Sequence, residues 1–148
     1  MRNKQWFLGQ TFLLLLILFF PFRIKLYLPT SIRYLGLIFL VIGGGLASHV
    51  ALSLKENLKP SPKPRVGGYL VTSGLYKVVR HPAYSCIVIA ALGWGFWTND
   101  LIRILLALGL FVFFDAKSRL EESWLEKTYP DYATYKKRIK RKFIPWIY

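Results

Sequence analysis

The chain has 148 residues, 54% of them hydrophobic and 17% aromatic, and carries 21 Lys plus Arg against 7 Asp plus Glu, a formal charge of +14. So apolar a composition excludes an ordinary water-soluble domain, and the single cysteine, Cys86, excludes an intrachain disulfide and a cysteine-pair metal site. The apolar runs assign the basic excess to a membrane surface, so no nucleic-acid partner is needed to explain it and no bound metal is expected.

MRNKQWFLGQTFLLLLILFF starts with charge and continues into an apolar core, as a secretory signal does, but PFRIKLYLP follows where a small-residue cleavage site would stand. This reads as an uncleaved signal anchor and first membrane helix, about residues 6–22. A second apolar stretch runs from about Tyr34 to Leu54; both approach the ~20 residues that cross a ~30 Å hydrocarbon layer. Within it, GGGLASH sets Gly43, Gly44, Ala47 and Ser48 at spacings that let helices approach closely, and His49 reads as a partnered histidine near the cytoplasmic end. Residues 55–81 hold the prolines and glycines of a cytosolic loop. Pro82 suits the first turn of a third helix that ends at Trp97, and Asn99 or Asp100 of WTNDL can cap a fourth, about Leu101 to Lys127. At ~1.5 Å per residue this fourth helix spans on the order of 40 Å, so its charged end, DAKSRLEESWLEKTY, must leave the bilayer. A basic C-terminal segment, 128–148, completes a single membrane domain, 1–148. The expected fold class is an all-α integral membrane protein of about four transmembrane helices, with a C-terminal helical hairpin and a cytosolic extension.

Four crossings put 17 basic residues on one side and 4 on the other, which assigns both termini and the long loop to the cytoplasmic face, as in a prokaryotic inner membrane. The hairpin then returns RHPAY, at the start of the third helix, to the depth at which LEES leaves the membrane. Free amides at that helix start, with Arg80 and His81 beside them, suit an anion such as a carboxylate. Tyr84 either stacks on a flat heterocycle or anchors the helix among headgroups. Glu121 and Glu122 point about 100° apart, so one faces a site and the other a basic neighbour; Lys117–Glu121 and Arg119–Glu122 have the spacing of ordinary intrahelical pairs. KKRIKRK, residues 136–142, attracts anionic membrane lipids or guides an acidic substrate, with Arg138 and Arg141 as candidates for a substrate carboxylate.

LVTSGLYKVVRHPAY, then after one hairpin an EE pair and YPDYATYKKRIKRKFIPWI, resembles the isoprenylcysteine carboxyl methyltransferase family, which is similar to the phospholipid methyltransferases. The resemblance runs from roughly Gly67 to the C-terminus. It implies an enzyme that binds S-adenosyl-L-methionine without a Rossmann domain, and this chain has no GxGxxG between strand and helix. By the same resemblance Ser73, Gly74, Leu75, Tyr76, His81, Pro82, Tyr84, Asn99, Glu121 and Glu122 bind the cofactor, with His81, Glu121 and Glu122 at the catalytic centre. Arg80, Arg138 and Arg141 are left for the substrate, a lipid or isoprenoid-like small molecule whose carboxylate O-methylation the RHP triplet favours. Three other readings stay open: a phospholipid N-methyltransferase, an NADPH-dependent membrane reductase related to sterol reductases, and a membrane scaffold without catalysis.

Overall fold

The computed structural model describes residues 3–21, 24–54, 63–64 and 67–145. Its elements are α1 (Asn3–Phe19), α2 (Thr30–Leu54), α3 (Pro82–Trp97), α4 (Leu101–Thr128) and α5 (Tyr132–Arg138), with a 3-10 turn, Gly74–Lys77, ahead of α3. Among the described residues α2, with 25 residues, is the helix long and apolar enough to cross a membrane; α1 and α3 are apolar but shorter. Large apolar side chains nonetheless cover the exterior, with Phe12 of α1, Leu52 of α2 and Val112 of α4 each more than 60% exposed. That exterior suits hydrocarbon and not water.

Several boundaries differ from those that hydrophobicity sets. Helix α1 ends at Phe19 and not near residue 22, which lies outside the described residues. Helix α2 begins at Thr30, ahead of Tyr34, because the Pro29 carbonyl accepts the Ile32 and Arg33 amides at 3.0 and 3.2 Å. The polar Thr30, Ser31 and Arg33 fill that first turn, which an apolar criterion does not count. Helix α5 stands where only a basic segment is expected. It buries Tyr132 and Tyr135, spaced to share one face, and leaves Lys137 and Arg138 exposed on the other side. Of the stretch 55–81 read as a loop, residues 55–62 and 65–66 lie outside the described set.

Helices α2 and α3 make the most extensive contact, and its closeness rests on glycine. A Cβ at Gly43 would lie 2.6 Å from the Ala90 amide nitrogen, and one at Gly36 would lie 2.6 Å from the Phe96 Cβ. Backbones can meet at this distance only where the side chain is a hydrogen. On the other side α3 and α4 form the expected hairpin. Asn99 takes the left-handed conformation at φ 53°, and Asp100 caps α4 by accepting the Ile102 and Arg103 amides at 3.0 and 3.3 Å. The α1–α2 connection meets this turn: Leu26 N–H donates to Asn99 O at 2.8 Å, and Leu101 N–H to Ile24 O at 3.1 Å. Helix α1 lies against α3 and α4, with Gly9 beside Phe113 and the Trp94 Nε1–H donating to the Ile17 carbonyl at 3.2 Å. Two ends result. One gathers both interhelix turns; the other gathers the start of α3, the end of α4, α5 and the segment after it.

Placing a methyl group at Gly43 therefore forces α2 away from α3, whereas Gly45 has nothing within 4 Å of its would-be Cβ. Gly43→Ala should destabilise the folded protein by about 1–3 kcal/mol and Gly45→Ala should leave it unchanged or slightly firmer. Thermal unfolding of both variants in the same detergent checks this.

Candidate active site

The helix start and the twin glutamates meet at that second end. Arg80 Nε donates to Glu122 Oε1 at 2.8 Å, and the same oxygen lies 3.1 Å from His81 Nε2. An ionised carboxylate only accepts, so Nε2 carries the proton in this contact. Lys136 of α5 reaches the other oxygen, Oε2, at 3.0 Å. Glu122 is thus bracketed by three donors, two adjacent residues at the α3 start and one from α5, and it is buried. Burial alone would raise its pKa; the hydrogen bonds from His81, Arg80 and Lys136 outweigh this and hold the carboxyl well below the ordinary carboxylate range. The expected Arg119–Glu122 pair does not form, because Arg119 turns back to Asp115 at 2.6 Å.

Glu121 faces differently. Its Oε2 accepts the Tyr84 hydroxyl at 2.7 Å and stands 3.7 Å from His81 Nδ1, too far for a hydrogen bond. Its side chain keeps 27% exposure against 8% for Glu122. Of the two carboxylates, Glu122 is spent inside the protein and Glu121 retains acceptor capacity toward the outside. The Tyr84 ring stacks on Phe114 at 4.4 Å and 11°, with the Lys117 ammonium 5.1 Å from its centroid. Packing among protein groups, and not headgroup anchoring, fixes this tyrosine. Lys117 itself donates to Gln10 of α1 instead of pairing with Glu121.

The segment after α5 closes over the helix start. The Arg80 and His81 amides donate to the carbonyls of Arg141 and Lys142, each at 3.0 Å, and Ser85 Oγ donates to the Phe143 carbonyl at 2.7 Å. Arg80 Nη1 donates to the Ile139 and Lys140 carbonyls at 2.9 and 2.6 Å. Lys142 ties the segment to α4 through Asp115 at 2.6 Å. The Arg80 guanidinium expected to meet a substrate, and the Arg80 and His81 amides just ahead of the helix start, are occupied from within the chain.

The structure brings Arg80, His81, Pro82, Tyr84, Glu121 and Glu122 together. Ser73 opens the 3-10 turn that carries Gly74, Leu75 and Tyr76; Gly74 needs its glycine, with φ 58°, and the Tyr76 carbonyl accepts the Tyr135 hydroxyl at 2.7 Å. That bond links the turn to α5 beside the glutamates. Asn99 does not join them: it lies at the opposite end of α3, a helix of 16 residues and so ~24 Å away. Arg138 and Arg141 are exposed on the outer side of the C-terminal segment. Sequence reading missed Lys136 and Tyr132. Tyr132 is 1% exposed and its hydroxyl has no hydrogen-bond partner. Burial, then the Glu122 carboxylate, pushes its pKa far above the usual phenol range, so it stays a proton donor. The i,i+3 spacing of Tyr132 and Tyr135 was the available signal for both the helix and its buried face.

Comparisons with known proteins bear on this end of the molecule. A family model described as phospholipid methyltransferase matches residues 31–132, which include both helix start and glutamate pair. A cobalt-zinc-cadmium resistance protein of Cupriavidus metallidurans is 37% identical over 80 residues, 53% of this chain and 37% of that protein. A nickel-cobalt-cadmium resistance protein of Alcaligenes xylosoxydans xylosoxydans is 33% identical over 75 residues, 50% of this chain and 35% of that one. Protein-S-isoprenylcysteine O-methyltransferase of Schizosaccharomyces pombe is 38% identical over 72 residues, 47% of this chain and 30% of that enzyme. The matched stretches thus span about a third of the length of these relatives.

Because Glu122 has a depressed folded pKa, its contribution to stability is full above the ordinary carboxyl range and disappears as pH falls through the folded value. Glu122→Gln should cost about 3 kcal/mol at pH 7, leaving the buried Arg80 guanidinium without its carboxylate while Lys136 keeps Glu126. The deficit should still be present at pH 5 and should shrink only in stronger acid, where the wild-type carboxyl protonates. Denaturation midpoints of both proteins from pH 7 to pH 3 test this.

Proposed function

The chain belongs to the phospholipid methyltransferase family, and from that membership we propose that it is an S-adenosyl-L-methionine-dependent methyltransferase acting on a lipophilic acceptor at the cytosolic face of the membrane. The observation that carries this reading is the convergence of the α3 start and the α4 glutamates: Tyr84 on Glu121 at 2.7 Å, with Arg80 and His81 on Glu122 at 2.8 and 3.1 Å. Carboxylate O-methylation fits the site, since a carboxylate acceptor needs no general base and His81 is already committed to Glu122.

The residues present suit the cofactor. Glu121 offers an acceptor for an amino group or ribose hydroxyls and a negative charge for a sulfonium, and the unpartnered Tyr132 hydroxyl is a buried donor close to the same carboxylates. The turn Ser73–Tyr76 lies against α5, with the Tyr76 phenol within electrostatic reach of Glu121. When bound, the cofactor supplies the activated methyl group. The protein holds the acceptor in line within about 3–3.5 Å and keeps water out, tasks that the aromatic layer of Tyr84, Phe114 and Phe143 serves. Glu122 positions rather than binds: it fixes His81 and Arg80, and through Lys136 it holds α5 over the site.

Four antiparallel crossings with both termini cytosolic complete the reading. Its support is the charge distribution along the sequence, 17 basic residues in the segments assigned to one face against 4 in those assigned to the other, together with the apolar exterior of the bundle.

The full chain in nanodiscs should bind S-adenosylhomocysteine saturably and show no saturable binding of NADPH. Glu121→Gln should weaken that binding at least about tenfold, about 1.4 kcal/mol, without lowering the unfolding midpoint. Protection by NADPH alone, or unchanged affinity in Glu121→Gln, would refute this assignment.

A further inference from the structure

Lys117 is a buried cation that makes no direct ion pair among the described residues, Glu121 acting on it only from beyond contact distance. It is 1% exposed, and its ammonium donates to the neutral Gln10 amide oxygen. Glu121, the carboxylate four residues on, accepts Tyr84 instead, and no ion pair among the described residues includes Lys117. An amide and two aromatic faces, Tyr84 at 5.1 Å and Phe114 at 5.9 Å, offset only part of the cost of desolvating an ammonium. Ionisable groups held in this way inside a membrane bundle mark ligand paths.

A second observation points to the ligand. A cleft of about 250 Å³ opens between α1, α2 and α3, walled by apolar residues including Leu14, Ile17, Gly44, Ala47, Ile87 and Trp94. A Cβ at Gly44 would meet nothing within 4 Å. Helix α1 packs on α3 and α4 and makes little contact with α2, which leaves the gap. Helical register connects cleft and lysine. On α1, Leu14 and Ile17 share a face with Gln10; on α3, Ile87, Ala91 and Trp94 continue the stripe that Tyr84 begins. Both stripes end at the cluster of Gln10, Lys117 and Tyr84. From Ile87 to Trp94 the cleft spans ~10 Å along the helix axis, a length that a hydrocarbon chain can follow.

We propose that this is the acceptor's seat, and that the acceptor is a single-chain lipophilic carboxylic acid with its chain in the cleft and its carboxylate on Lys117. Lys117, and not Arg138 or Arg141, then selects the substrate charge. The proposal rests on the methyltransferase reading only for the fate of the acid. There, a carboxylate oxygen bonds to the donor's methyl carbon as the carbon–sulfur bond breaks, giving a neutral ester and a thioether with no proton to remove. The ester loses its attraction to the ammonium, which favours release.

The test uses the full chain in phosphatidylcholine nanodiscs, titrated with carboxyl-¹³C dodecanoate and separately with its methyl ester, with S-adenosylhomocysteine binding measured in parallel. Dodecanoate should bind at least about tenfold more tightly than the ester, Lys117→Met should abolish that preference, and Ala47→Phe should weaken both ligands alike. Equal affinity of the wild-type protein for acid and ester overturns the proposal whether or not Lys117→Met folds, and so does a preference that survives Lys117→Met. A preference for the acid without any S-adenosylhomocysteine binding supports the acid site and removes the methyltransferase reading instead.

Discussion

One buried carboxylate organises the functional end of this protein. Desolvating Glu122 is unfavourable by several kcal/mol unless its lone pairs are met, and they are met by the Arg80 guanidinium, the His81 imidazole and the Lys136 ammonium. Arg80 and the N-cap His81 are neighbours at the start of α3 and Lys136 lies in the middle of α5, so satisfying one charge fixes two segments against α4. The depressed pKa of Glu122 measures the same balance, with hydrogen bonds exceeding the desolvation that opposes them. Any shift of α5 or of the α3 start would expose the mismatch, which is why these short elements can be ordered although neither has a large apolar face.

That constraint assigns different work to two neighbouring glutamates. A step of about 100° around α4 turns Glu122 into the donor cluster and Glu121 toward Tyr84 and the opening. Tyr84 is held from three directions, by Phe114, by Lys117 and by Glu121 itself. Glu121 is therefore oriented by a rigid partner while part of it remains accessible, a condition that a ligand-binding carboxylate must satisfy. His81, tied to Glu122 and stacked 5.5 Å from Tyr84, belongs to the support of this arrangement.

The helical hairpin, its turn at Asn99 and Asp100, and the meeting of RHPAY with the glutamates were legible in the sequence, because periodicity, a capping residue and hairpin geometry act locally. What was not legible depends on contacts between distant segments. The pairs Lys117–Glu121 and Arg119–Glu122 have good intrahelical spacing, yet Lys117 reaches Gln10 of another helix and Arg119 finds Asp115. Spacing states which pairs are possible; only tertiary neighbours decide which form. Helix α5 escaped for a related reason, since its seven residues gain their stability from burying Tyr132 and Tyr135 and not from propensity. The glycines of α2 divide: of those whose spacing suggested close packing, Gly43 lies where α3 leaves no room for a side chain while Gly44 meets nothing within 4 Å, and Gly36, outside that stretch, also lies tight against α3.

The C-terminal segment settles where an anionic ligand can go. A helix start with an arginine and a histidine looks, in sequence, like a place for a carboxylate. In the folded chain the carbonyls of Ile139 and Lys140 take the guanidinium, and those of Arg141 and Lys142 take the amides of Arg80 and His81. The chain's own backbone thus supplies the negative poles that a ligand would have brought. Displacing them would leave several carbonyls and Glu122 unpaired at once, a far greater cost than one ligand contact returns. Lys117 is the opposite case: it is charged, enclosed, hydrogen-bonded to an amide, and aligned with the apolar cleft between α1, α2 and α3. An amphiphilic acid completes what is missing there and disturbs nothing at Glu122, so the two ends of the constellation divide between holding the protein together and receiving a ligand.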